Sequence, residues 1–340
     1  MIEIDGSYGE GGGQLLRTAL ALSLATKQPF RAVKLRAKRA KPGLMRQHLT
    51  AVQAAMEIGR ARVIGAEIGS STLEFYPREV AAGEYRFSVG TAGSATLVLQ
   101  TVLPALMIAN GPSSIVLEGG THNPLAPTFD FLARVYLPLL SKMGVHTSAA
   151  IERPGFYPAG GGKFRIDVTP VKKFARLDLI DRGEVRARRA TAMFAQLPFE
   201  IARRELEVVR EQMKLEADEC SPVEVKQSHG PGNVVQVEIE SDHVTELFSG
   251  FGERGVRGEV VAQKAAKEAL DYLAANVPVG PHLADQLLLP MALAGGGSFR
   301  SVAATPHTET QIQVIRYFLA TKVACSQVSA DVWQYEVSVT

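Results

Sequence analysis

Cysteine is nearly absent from this chain. Two in 340 residues, Cys220 and Cys325, cannot build a disulfide framework or a four-ligand zinc site. Long hydrophobic runs are missing too. The most apolar stretches, residues 97–109 and 287–294, fall short of the roughly 20 residues that span a bilayer. No charged-then-apolar leader follows Met1, so the expected setting is cytoplasmic and reducing, with no membrane. The common nucleotide motifs are lacking as well. There is no G-x-x-x-x-G-K-[ST] loop, and Gly9-Glu10-Gly11-Gly12-Gly13-Gln14 does not fit G-x-G-x-x-G. No lysine stands in a K-x-D-G string and there is no H-E-x-x-H, so any nucleotide here is handled by an uncommon site. Neither sign of charge dominates: the net charge is +2, too little to announce a nucleic-acid partner globally. A 46% hydrophobic, 21% charged composition excludes a disordered tail. The length suits about two domains, or one carrying an insertion.

What is present begins with an internal echo. Phe75-Tyr76-Pro77 recurs as Phe156-Tyr157-Pro158, and a glycine turn opening an Ala/Leu helix occurs at 9–26 and again at 90–109. A second helix follows each, near 43–58 and 127–143. Both units read strand, helix, strand, helix, strands, over about 80 residues. A third glycine turn with its helix is delayed to 280–294, followed by a helix at 309–319. Between lies a different composition. Residues 181–275 hold 31 charged residues in 95, against 41 in the other 245, which suits a small solvent-wrapped insert. Helices at 200–219 and 258–275 and an alternating strand at 233–240 give it a rough β-α-β-β-α order. The expected division is 1–182 with 277–340 as one body and 183–276 as the insert, in an α/β (α+β) chain.

Several strings carry chemistry. In the first glycine turn, bare backbone approaches a ligand closely and a helix start offers free N–H groups to an anion. Glu10 inside it repels that anion unless a divalent cation lies between. Arg17 follows on the same helix. Residues 31–46 hold seven basic side chains (Arg31, Lys34, Arg36, Lys38, Arg39, Lys41 and Arg46) and no acid. Arg36 and Lys38 are expected to alternate on a strand over 33–38, with Gln47 and His48 on the helix after it. Such a cluster suits a phosphate-bearing nucleotide or RNA end. Gln100 follows the second glycine turn, and Pro127 with Phe129 could flank a planar ring. Asp285 is the lone acid in Leu283–Ala294, either a helix N-cap or a site carboxylate. His307 stands before helix 309–319, where a phosphate would dock.

Together these strings resemble the RNA 3′-terminal phosphate cyclases. The resemblance spans the chain: E-G-G-G-Q at 10–14, R-A-K-R-A-K-P-G-L-M-R-Q-H at 36–48, F-Y-P-A-G-G-G at 156–162, H-G-P-G-N at 229–233 and L-A-D-Q-L-L-L-P-M-A-L-A at 283–294. It implies three βαβαββ repeats around a common core, with a small thioredoxin-like domain inserted in the third. It also implies an ATP-dependent reaction in which a histidine takes AMP and passes it to an RNA 3′-phosphate. The neighbouring 2′-OH then closes a 2′,3′-cyclic phosphate. By position the nucleophile falls on His307 and its supporting carboxylate on Asp285, with Glu10 holding Mg²⁺ or Mn²⁺. Arg17, Arg36, Arg39, Gln47 and His48 match phosphate- or RNA-binding positions, and Gln100 and Pro127 match the adenosine pocket; the expected ATP site also takes in Phe129, His282 and Gln286. At 282 the family often has Tyr, and this chain has His.

Two other readings compete. A non-catalytic cyclase-like factor that binds RNA in ribosome assembly lacks the nucleophile, whereas His307 and Asp285 are both here. A hydrolase of cyclic phosphates would use H-x-[ST] strings. His48-Leu49-Thr50 and His146-Thr147-Ser148 fit, but the pattern is too short to weigh much.

Overall fold

β1 (Ile2–Asp5) leads into the glycine-rich turn, and α1 (Gly13–Thr26) starts directly after it. The computed structural model describes residues 1–9 and 12–339. Nine of the 14 residues of α1 are buried, leaving no solvated face, the mark of a core helix. It packs against α2 (Arg46–Ile58), α3 (Ala95–Leu106) and α9 (Pro306–Phe318). Leu16, Leu20 and Leu22 are fully enclosed, each contributing about 2 kcal/mol of apolar burial. The start of α1 is thereby a rigid point in the middle of the molecule.

The described residues form four four-stranded sheets. In the first, β1 lies parallel to β2 (Phe30–Val33), which runs antiparallel to β4 (Leu73–Tyr76), itself paired with β3 (Arg62–Ile64). The second joins β5 (Glu84–Ser88), β6 (Ser113–Gly119), β8 (Gly162–Thr169) and β7 (His146–Arg153) in the same sense. Between β6 and β7 run α4 (Phe129–Phe131), a π-turn (Leu132–Tyr136) and α5 (Leu137–Lys142). The C-terminal sheet joins β9 (Leu177–Leu179), β14 (Gly296–Ser301), β16 (Val332–Val339) and β15 (Thr321–Ser329), again one parallel pair and two antiparallel ones. The glycine-turn echo falls on equivalent helices, α1 after β1 and α3 after β5. The Phe-Tyr-Pro echo does not. Phe75 and Tyr76 lie in β4, whereas Phe156–Pro158 lie in the connection before β8.

The remaining sheet comprises β10 (Val185–Ala195), β11 (Cys220–Glu224), β12 (Gly232–Ser241) and β13 (Thr245–Phe251), covered by α6 (Phe199–Met213) and α7 (Gly258–Ala275). Its order is β-α-β-β-β-α, one strand more than expected. The extra strand, β11, is a mostly exposed edge containing Pro222, so no alternating pattern betrays it. A separate set of buried side chains between Ala190 and Val277 forms its core. No described helix is long and apolar enough to cross a membrane.

Inside that core Glu205 is fully buried. Oε1 accepts from Asn233 Nδ2, and among the described residues Oε2 has no partner. Burial pushes its carboxyl up to about 7, so the fold favours the protonated acid. That stability is complete below the ordinary value near 4.5 and is lost as pH rises through 7. Glu205→Gln should therefore raise stability at pH 8 by on the order of 2 kcal/mol and leave it unchanged at pH 4. Urea titrations at the two pH values check this, and equal midpoints at both would refute it.

Candidate active site

The first turns of α1, α2, α9 and α8 (Pro281–Leu293) open onto one cavity of about 740 Å³. This is the size of a site that encloses a small ligand. Helix starts present unpaired N–H groups and the positive end of the macrodipole, so their convergence favours an anion. The turn before α1 fits closely. A methyl group at Gly13 would run into His48 Nε2 and Arg17 Nη1, so only glycine lets both side chains close over this backbone.

His307 is the second residue of α9, which begins at Pro306 rather than at the expected 309, with Thr305 Oγ1 capping Thr308 N–H at 3.2 Å. Asp285 sits in the second turn of α8 and is not its cap. The cap position is Gly280, whose N–H donates to Glu246 of β13. Gln14 connects the two site residues. Its Nε2 donates to Asp285 Oδ2 at 3.0 Å and to the His307 carbonyl at 3.2 Å, and its Oε1 lies 2.7 Å from His307 Nδ1. Burial raises the Asp285 carboxyl to about 7, against the pull of His282 and Arg17. Tyr136, buried in the same wall, is raised by burial and by the Asp285 charge.

The basic side is built from α1, α2 and the loop between β2 and α2. Burial lowers Arg17 to about 10, with Asp285 opposing the change, so it stays a cation. Burial, then Arg17 and Arg36, push His48 down to about 3, so it is neutral. Met45 N–H donates to its Nδ1 at 3.2 Å, which leaves the proton on Nε2, facing the glycine turn as a donor. Gln47 also lines the cavity, where its Oε1 accepts Ser94 N–H at 2.8 Å, bracing the start of α3.

The strand expected over 33–38 stops at Val33. Lys34 and Arg36 adopt left-handed φ values of 53° and 55°, which no strand accommodates. Arg36 closes the resulting loop by donating to the Lys41 and Gly43 carbonyls at 2.7 and 2.8 Å. Arg39 lies against Gly12. Arg17, Arg36 and Arg39 all line the cavity.

Across the cavity Gln100 donates to Gln286 Oε1 at 2.8 Å, and Gln286 donates to the His282 carbonyl at 3.1 Å. Pro104 and Pro290 lie four residues after these glutamines, within α3 and α8. They leave both glutamine carbonyls without a helical donor. His282 is exposed and 3.4 Å from Glu268, which raises it. Pro127 lines this wall. Phe129 does not, because it is buried against Phe164. As α4 turns, Phe131 takes the cavity position. Glu10 lies outside the described residues. Among those described, no group of three His, Cys, Asp or Glu is arranged to hold a metal ion. His146, in the second H-x-[ST] string, is absent from the cavity lining.

The family model of the RNA 3′-terminal phosphate cyclases matches residues 8–325. The chain belongs to this cyclase family. The RNA 3′-terminal phosphate cyclase of Koribacter versatilis is 53% identical over 327 residues, covering 96% of this chain and 92% of its own. That of Ralstonia nicotianae is 52% identical over 319 residues, covering 94% and 91%. The solved enolpyruvyl transferase NikO of Streptomyces tendae aligns with 98% of this chain and 47% of its own. At 12% identity and a TM-score of 0.38, that likeness is too slight to bear on function.

This family member's cavity holds residues the sequence did not single out. Gln14 was legible only as the end of the glycine turn, although a polar side chain at such a helix start is a usable signal. Thr18 donates to Gln311 at 2.6 Å, pinning α1 to α9 beside His307. Leu247, Ser249 and Phe251 of β13 form another wall, so the charged segment helps enclose the cavity. No local pattern in a half-buried strand reveals that contact.

Proposed function

We propose that this chain converts an RNA 3′-terminal phosphate into a 2′,3′-cyclic phosphate, using ATP and a covalent AMP on His307. The observation that carries the reading is the meeting of His307, Asp285, the three arginines and the paired glutamines in one cavity. In the first step a ring nitrogen of His307 bonds to the α-phosphorus of ATP, and pyrophosphate leaves with the electrons of the broken P–O bond. In the second, an oxygen of the RNA 3′-phosphate displaces His307 and takes AMP. In the third, the 2′-OH attacks the phosphorus of the RNA 3′-phosphate, loses its proton and breaks the anhydride P–O bond, so that AMP leaves and the ring closes. Activation is needed because a phosphate dianion cannot lose oxide, whereas an anhydride can lose AMP.

The basic side suits the phosphates. Arg17, a cation kept out of water, binds an anion strongly, and His48 adds a neutral N–H donor. Gln100, Gln286, His282 and Pro127 form the wall for the nucleoside. Mg²⁺ or Mn²⁺ accompanies the triphosphate on this reading, with Glu10 as its protein ligand. The three sheets of like ladder are read as three βαβαββ repeats, and 183–276, with its own core, as a thioredoxin-like insert in the third.

Incubating 3′-phosphate RNA with ATP tests the reaction. The end should become resistant to phosphatase only with ATP, and AMP should form one per end; an end still open to phosphatase refutes the reading and favours a binding factor. Arg39→Ala should weaken RNA binding and reduce the salt slope by about 0.7 per lost phosphate contact, with adenylylation little changed. An unaltered affinity and slope would remove Arg39 from the RNA-binding surface.

A further inference from the structure

We propose that Gln14 is a positioning residue that holds His307 in the tautomer protonated at Nδ1, leaving the Nε2 lone pair to attack. This inference rests on the covalent His307 reading above. The orientation of the Gln14 amide is decided by what surrounds it. Its Nε2 faces two oxygens, Asp285 Oδ2 at 3.0 Å and the His307 carbonyl at 3.2 Å. A backbone carbonyl accepts and never donates, so the NH₂ end belongs on that side. Oε1 is then the atom 2.7 Å from His307 Nδ1. An amide oxygen also only accepts, so Nδ1 carries the hydrogen and Nε2 of a neutral ring carries the lone pair.

That assignment has a chemical consequence. Free imidazole side chains in water favour the opposite tautomer, with the proton on Nε2, where the lone pair sits on the wrong atom. Gln14 reverses this preference with a neutral partner, so the ring gains direction without a full negative charge holding a second proton on it. On attack Nε2 bonds to the α-phosphorus, pyrophosphate departs with the electron pair, and Nδ1 keeps its proton against Gln14. Asp285 acts on this arrangement twice: through the amide, by fixing which end faces the ring, and through its charge, which supports the cationic ring formed on attack. Three elements meet in one side chain: Gln14 of α1, Asp285 of α8 and His307 of α9. The Thr18–Gln311 bond one turn further along holds α1 against α9, which keeps the spacing constant.

Long-range proton–nitrogen NMR on the full chain labelled with ¹⁵N-histidine tests the assignment. It is run at about pH 8.5, with His307 assigned by difference from His307→Ala. The wild type should show a pyridine-type Nε2 and a pyrrole-type Nδ1 at His307. Gln14→Ala should move the ring toward the Nε2–H form and cut the rate of covalent AMP formation about 10- to 100-fold, with KM for ATP nearly unchanged. Gln14→Met, which keeps length and helix preference, should do the same and guards against a folding defect in the alanine variant. A pyrrole-type Nε2 in the wild type, or an unchanged tautomer and rate in the variants, overturns the role of Gln14. Absence of any covalent AMP on the wild type would instead overturn the nucleophile reading, and the nitrogen spectra keep the two failures apart.

Discussion

His307→Ala is expected to abolish covalent AMP formation and to reduce cyclisation of 3′-phosphate RNA by a factor on the order of 10⁴ or more. No neighbour replaces the lost nitrogen. His48 is neutral with its lone pair engaged by Met45 N–H, and His282 is tied to Glu268. The fold should be nearly indifferent, because His307 is exposed in the first turn of α9 and alanine is tolerated there. The variant should still close the ring when given RNA already carrying AMP on its 3′-phosphate. That step needs only a positioned 2′-OH and a leaving group. Rate measurements on the two RNA substrates separate these outcomes, and wild-type labelling by the variant would remove His307 from the mechanism.

Asp285→Asn should move activity and stability in opposite directions. The asparagine keeps the shape and can still accept from Gln14, but it removes the charge that supports a cationic ring. Covalent AMP formation should fall about 10²- to 10³-fold. Stability should rise. The folded-state carboxyl titrates near 7 against an ordinary value near 3.8, so the native fold prefers it protonated and loses stability as pH climbs between those values. The neutral variant escapes that loss. It should be more stable by on the order of 2 kcal/mol at pH 8 and equal to wild type below pH 4. In the wild type the same titration should make adenylylation rise with pH through about 7, a limb that Asp285→Asn flattens. Denaturant midpoints and a pH–rate profile check both halves; a destabilised variant at pH 8 would show that the charged form is native and well paired.

Much of this was readable along the chain because glycine, proline and lone polar residues in apolar runs have local causes. The glycine turns placed the starts of α1 and α3. Asp285 stood out since a carboxylate among leucines needs a reason. A strand over 33–38 is the natural reading because alternation at Arg36 and Lys38 mimics a sheet face, and nothing in the sequence shows that Lys34 and Arg36 turn left-handed. Phe129 reads as a partner of Pro127 in flanking a planar ring, but α4 turns it into the core and presents Phe131. Gln14 escaped notice for a different reason. Its partners lie 271 and 293 positions away, and only packing of α1 against α8 and α9 brings them together. The wall supplied by β13 has the same origin.

The most direct measurement is to incubate the chain with ATP carrying ³²P at the α-phosphate, denature it, and locate the label. The account predicts label that survives alkali, is released by acid, and maps to the peptide containing His307, with one pyrophosphate freed per AMP bound. Label that resists acid, label on another residue, or none at all would contradict it.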